Sequence, residues 1–141
     1  MMNRSVPVNG VLPTVYYRDA DAAVLWLERV FGFKENYRVR EDDGRIHTSQ
    51  MFLGNCYLML RYSGAEKLSP LDAGGATQSL TVIIDDVDEH FKHAQQEGAK
   101  IISSPTNRKY GERDYKVHDL EGHPWTFSQH ILDLDPKELF S

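Results

Sequence analysis

The chain has 141 residues, 40% hydrophobic and 26% charged, with a formal net charge of −5. That composition fits one soluble globular domain with a core of its own, and argues against a nucleic-acid partner, whose phosphates want a basic face. A single cysteine, Cys56, excludes an internal disulfide framework, and no stretch is long and apolar enough to cross a bilayer. Met1 to Pro7 leads into no long apolar run, so neither a secretory signal nor a membrane partner is expected, and a cytoplasmic location is.

Residues 1–10 read as a flexible leader. Val11 to Tyr17 is a short β-type run, with Pro13 suited to its start or to an edge. Asp19 is a good helix cap, and Ala23, Leu27, Val30 and Phe31 recur at helical spacing with Trp26 beside them, up to Gly32. Lys34 to Arg40 and Arg45 to Phe52 read as strands joined by Glu41-Asp42-Asp43-Gly44, whose Asp-Gly is a strong hairpin signal. Cys56 to Tyr62 is a further strand, with Leu58 and Leu60 on one face and Tyr57, Met59 and Arg61 on the other. Ser63 to Thr77 reads as a linker.

The order then repeats. Ser79 to Ile84 is a strand, and Asp86 caps a helix whose inward stripe is Val87, Phe91, Ala94 and Gln95, ending at Gly98. Ala99 to Ile102 is expected as a short strand and Ser103 to Gly111 as a loop. A hairpin follows, from Arg113-Asp114-Tyr115-Lys116-Val117-His118 through Asp119-Leu120-Glu121-Gly122 to His123-Pro124-Trp125-Thr126-Phe127. The predicted fold is α+β: two βαβββ modules, over about 10–62 and 78–130, with the linker at 63–77 and a tail at 131–141. Two such modules can form a curved mixed sheet around a groove.

Tyr17-Arg18-Asp19-Ala20, the helix running to Val30-Phe31-Gly32-Phe33, and Asp119 to Phe127 carry a family resemblance. The chain resembles the vicinal-oxygen-chelate superfamily in its glyoxalase/bleomycin-resistance branch, from about Val11 to Gln129, with Leu120 where the closing motif usually has proline. The resemblance implies a homodimer whose modules build funnel-shaped sites. In metal-dependent members four strands each supply a ligand, commonly His or Glu. By register those positions fall at about Pro13, Met59, Ser79 and Thr126, none of them a good ligand for a divalent metal. Neither a metal nor another cofactor is therefore expected.

Other residues offer little chemistry. His90 and His93 lie three apart on a helix, a chelating spacing, but should face solvent beside the Phe91–Ala94 stripe. His118 and His123 flank the closing turn and are expected to be exposed. His47 lies mid-strand on a mixed face and is the candidate acid or base, although packing is the commoner role of a strand histidine. Cys56 reads as structural, no phosphate-binding glycine loop is present, and Ser49, Ser79 and Ser128 lack a triad signature. The ligand-binding candidates are His47, Tyr57, Met59, Arg61, Arg113, Tyr115 and Thr126, the face opposite the residues that should meet the helices. Trp26, Trp125 and Phe127 are assigned to the core.

Three functions stay open. The first is a metal-independent binder of a small molecule or antibiotic in a dimer groove, as the resemblance to bleomycin-resistance proteins implies. The second is an enzyme of the same fold, of lyase, isomerase or dioxygenase type, with unconventional ligands or acid–base work by His47. The third is a dimeric interaction domain without a small ligand. The first is preferred.

Overall fold

Two four-stranded mixed sheets organise the chain, each with one helix packed on it. The computed structural model describes residues 6–140; residues 1–5 of the expected leader and the side chains of Leu139 and Phe140 in the tail lie outside the description. The chain divides into two units between Ala76 and Thr77.

In the first unit, β1 (Thr14–Tyr17) leads to α1 (Ala20–Trp26), which continues as a π-helical turn over Leu27–Phe31. Asp19 caps α1 by accepting a hydrogen bond at Oδ1 from the Ala22 backbone N–H, 3.0 Å away. Gly32, at φ 84°, closes the π turn. Strands β2 (Lys34–Arg40), β3 (Ile46–Leu53) and β4 (Cys56–Tyr62) follow, and the sheet order is β1-β4-β3-β2. Only β1 and β4 run parallel, with Thr14 opposite Met59 and Tyr17 opposite Tyr62. Ala23, Val24, Leu27, Val30 and Phe31 of the helix are buried with Val15, Tyr17, Met51, Leu58 and Leu60 of the sheet. Trp26 is half-buried, edge-on to Phe31 at 4.8 Å.

The second unit repeats the plan: β5 (Leu80–Ile83), α3 (Val87–Gln96), β6 (Lys100–Asn107), β7 (Glu112–His118) and β8 (Pro124–His130), in the order β5-β8-β7-β6. Asp86 caps α3 through the Glu89 backbone N–H at 3.1 Å. Leu80 lies opposite Trp125 and Thr81 opposite Thr126, the counterpart of the β1–β4 pair.

Several expectations change. Strand β1 begins at Thr14, and Val11 is 87% exposed. The segment 63–77 contains a 3₁₀ turn (Gly64–Glu66) and α2 (Pro70–Ala73), capped by Ser69 and joined to Arg18 by the Arg18–Asp72 ion pair at 2.6 Å. Strand β6 runs eight residues where a four-residue strand and a loop were predicted. Pro105 is tolerated because β6 is an edge, and its pairing with β7 shifts register twice. The tail carries a 3₁₀ turn at Pro136–Phe140. Its start is tied back through Asp133, which bonds His130 Nε2 at 2.6 Å.

The open sheet faces as a candidate site

In the first unit the helix covers the Leu58/Leu60 face of β4, so Tyr57, Met59 and Arg61 occupy the opposite, open face. Register extends that face: Gln50 lies opposite Met59 and Thr48 opposite Arg61 on β3, with Thr14 and Tyr16 opposite the same two residues on β1. Two bulges then alter it. Between Glu35 and Tyr37 the register slips by one residue, and Asn36 reaches across to donate to Gln50 Oε1 at 2.6 Å. Between Val39 and Arg40 the extra residue is His47, whose Nδ1 lies 2.7 Å from Thr48 Oγ1. Neighbours on a regular strand point to opposite faces, so the bulge brings His47 onto the open face beside Thr48.

On this face lies an open-sided cavity of about 430 Å³, lined by Val6, Pro7, Val8, Leu12, Tyr37, Gln50 and Met59. Two of its lining residues touch: the Met59 sulfur lies 3.7 Å from Gln50 Nε2. The predicted candidates Met59, Tyr57, Arg61 and His47 thus share one surface. Leu12, Tyr37 and Gln50 escaped the sequence reading, although counting register outward from the Gly54-Asn55 turn places Gln50 opposite Met59. Tyr57 stacks on Phe52 at 5.4 Å.

The second unit corrects the face assignment of Arg113 and Tyr115. Tyr115 is fully buried beneath α3: its hydroxyl lies 2.7 Å from His90 Nδ1, and its ring stacks on Phe127 and meets Phe91 edge-on. Burial alone pushes its phenol pKa above the ordinary value. Arg113, two residues earlier on the same face, pairs with Asp88 at the start of α3. The reason is cross-strand register: Tyr115 lies opposite Phe127 and Val117 opposite Trp125, so all four share the helix side. His90 therefore belongs to the inward stripe of α3, three residues from Val87, stacked on Phe127 at 4.0 Å, and Gln95 is exposed instead. His123 is also buried, contrary to expectation, while His118 is half-buried.

Thr126 does lie on the second unit's open face, where Lys116 Nζ is 3.3 Å from its hydroxyl. Asp114, on the same face, is buried and held by Arg108 Nε and the Tyr110 hydroxyl, each at 2.9 Å. Burial, and then the Asp114 carboxylate that its hydroxyl bonds, raise the pKa of Tyr110. Lys116 and Asp114 were missed because parity was counted from Tyr115 as an open-face residue.

A model of the glyoxalase/bleomycin resistance protein/dioxygenase superfamily matches residues 11–127. The chain belongs to that superfamily. Among solved structures it is similar to TioX from Micromonospora sp. ML1, at 32% identity and a TM-score of 0.71 over 89% of this chain and 99% of that one. A glyoxalase-related enzyme from Clostridium phytofermentans, 19% identical with a TM-score of 0.68 over 91% of this chain and 99% of that one, shares the fold. The uncharacterized protein Rv0887c of Mycobacterium tuberculosis (strain ATCC 25618 / H37Rv) is 24% identical over 132 residues, 90% of this chain and 78% of that protein.

Metal-dependent superfamily members raise the question of a metal site. The paired open-face positions of β1 with β4 and of β5 with β8 are Thr14 with Met59 and Thr81 with Thr126. Pro13 offers only a backbone carbonyl, already bonded to the Met59 N–H at 2.8 Å, and Ser79 precedes β5. Three hydroxyls and a thioether do not fit a divalent transition-metal ion, which takes imidazole, carboxylate or thiolate. Among the described residues no group of three or more His, Cys, Asp or Glu is arranged to hold a metal. Nor, among them, is any helix long and apolar enough to cross a membrane.

Proposed function

We propose that this protein is a binding member of its superfamily, holding a small molecule or antibiotic without a metal ion on the open face of its first sheet. The cavity at Met59 carries this reading: its volume, about 430 Å³, lies in the range of small-molecule sites, and its wall is apolar with one amide, Gln50, to orient a ligand. The donors described above, three threonines and one methionine, support the metal-free part, and the bleomycin-resistance proteins within the superfamily support an antibiotic as the occupant class. The protein is proposed to work as a homodimer, which light scattering on purified protein would test.

Titration against a panel of antibiotics and metabolites, read by calorimetry and thermal shift, tests the binding reading. A ligand should raise the melting temperature, and Met59→Ala should weaken it about tenfold while moving the melting temperature of the free protein by only a few degrees. A large stability loss with unchanged affinity would place Met59 in the core and sink the proposal. Stoichiometric zinc, nickel, manganese or iron in the purified protein would overturn its metal-free part.

One observation favours a second reading, an enzyme using acid–base chemistry. His47 stands beside a hydroxyl on the open face, within hydrogen-bond reach of Thr48. On that reading His47→Gln abolishes turnover of a bound substrate without weakening its binding. Equal loss of both would make His47 a packing residue.

A further inference from the structure

The open face of the first sheet is not uniformly apolar. Arg61 follows Met59 by two residues on β4, on the same face and about 7 Å further along the strand. Its Nε is buried without a hydrogen-bond partner. Four other arginines of the unit contrast with it: Arg18 pairs with Asp72, Arg38 with Glu35, Arg40 with Asp21 and Arg45 with Asp43. Among the described residues Arg61 pairs with no carboxylate. Its cross-strand neighbours are the buried Thr48 and the half-buried Tyr16, neutral groups that offer the guanidinium no counter-charge. A buried guanidinium N–H without an acceptor carries an uncompensated desolvation cost, which a bound oxyanion would relieve.

We infer that Arg61 is the anion-recognising end of the ligand site, so that the molecule held there has a flat apolar body and an oxyanion one ring-length away. The inference rests on the binding reading proposed above. The body lies over Met59, against Leu12 and Tyr37, and a carboxylate, sulfonate or phosphate accepts from the guanidinium, whose fork matches two oxygens at once. Thr48 opposite Arg61 and Gln50 opposite Met59 supply neutral polar contacts along the ligand's length. The overall charge of −5 does not oppose this, because exposed carboxylates beyond about a Debye length are screened while a half-buried cation in contact is not.

Two probes of one shape separate the charge from the body: the anionic 1-anilinonaphthalene-8-sulfonate and the neutral N-phenyl-1-naphthylamine, both followed by fluorescence on full-length protein. Wild-type protein should prefer the anionic probe by about tenfold. Arg61→Met should erase that preference with little effect on the neutral probe, and Arg61→Lys should retain part of it. Raising the salt concentration should weaken the anionic probe on wild-type protein and not on Arg61→Met. Met59→Trp, which fills the cavity, should exclude both probes. If Met59→Trp excludes both but Arg61→Met keeps the wild-type preference, or weakens both probes alike, the anion inference fails and the binding reading stands. If Met59→Trp leaves both probes bound, or wild-type protein binds neither, both readings fail. A melting curve and circular dichroism spectrum matching wild type qualify each variant, and Arg61→Lys decides the matter if Arg61→Met is unfolded.

Discussion

One carboxylate holds the closing turn of the second module. Asp119 Oδ1 accepts from the backbone N–H groups of Glu121 and His123, and Oδ2 accepts from Trp125 Nε1, each at 3.0 Å and all buried. Asp119→Ala leaves three buried donors without that acceptor and should cost about 3 kcal/mol or more in urea unfolding. Asp119→Asn keeps one acceptor oxygen and should cost less; equal losses would mean the fold depends on the charge rather than the bonds. Gly122 in the same turn sits at φ 92°, where a β-branched residue is strained, so Gly122→Val should cost about 1–3 kcal/mol. At Gly111 the constraint is proximity as well as φ, which is 87° there. A Cβ would meet the Leu132 carbonyl oxygen, while the Gly111 carbonyl accepts from the Ile131 and Leu132 N–H groups. Gly111→Ala should therefore lower the unfolding midpoint at least as far as Gly122→Val.

At the scale of elements, β8 and the segment after it are joined by His130, whose ring bonds Glu112 on β7 and Asp133 in the tail. Glu112 and then Asp133 raise its pKa above the ordinary 6.5, as expected when carboxylates accept from the imidazolium. The folded value exceeds the unfolded one, so the stabilisation is complete below about the unfolded pKa and is lost as pH rises through the folded value. Wild-type protein should thus exceed His130→Gln in melting temperature near pH 6, with the gap closing towards alkaline pH. A pH-independent gap would assign His130 a packing role.

The same elements mark where sequence reading succeeds and where it stops. Regular alternation made β4 legible, because Leu58 and Leu60 separate cleanly from Tyr57, Met59 and Arg61 and no bulge intervenes. Asp19 and Asp86 announced both helices through their caps. Tyr115 misled because a tyrosine is both apolar and polar, and its burial depends on His90, twenty-five residues away. The second half of β6 was missed because Ser103-Ser104-Pro105-Thr106 has loop composition, and only its pairing with β7 makes it a strand. The cavity was half legible: Met59 by alternation, but Leu12 and Val6 to Val8 only through a segment without regular structure.

For the whole molecule, the internal repeat is a repeat of plan and not of surface. Thr14 and Met59 in one unit answer to Thr81 and Thr126 in the other, yet the first open face carries the cavity at Met59, with Arg61 two residues along β4, and the second carries Lys116 and a buried Asp114. Sequence likeness to the superfamily across 11–127 speaks for the shared plan, while the two units differ from each other on the faces opposite their helices. The parallel pairing of first with last strand in each unit has a kinetic side. Hairpins β2–β3 and β3–β4 join neighbours through short turns, whereas β1 must find β4 across α1 and two strands, a contact whose loop closure comes late in folding. Leu12 stands just ahead of β1, so the cavity is completed by the slowest contact and opened by the earliest loss. A bound molecule should accordingly act as a brake on unfolding and leave the refolding rate nearly unchanged, an asymmetry that stopped-flow chevrons with and without ligand would read directly.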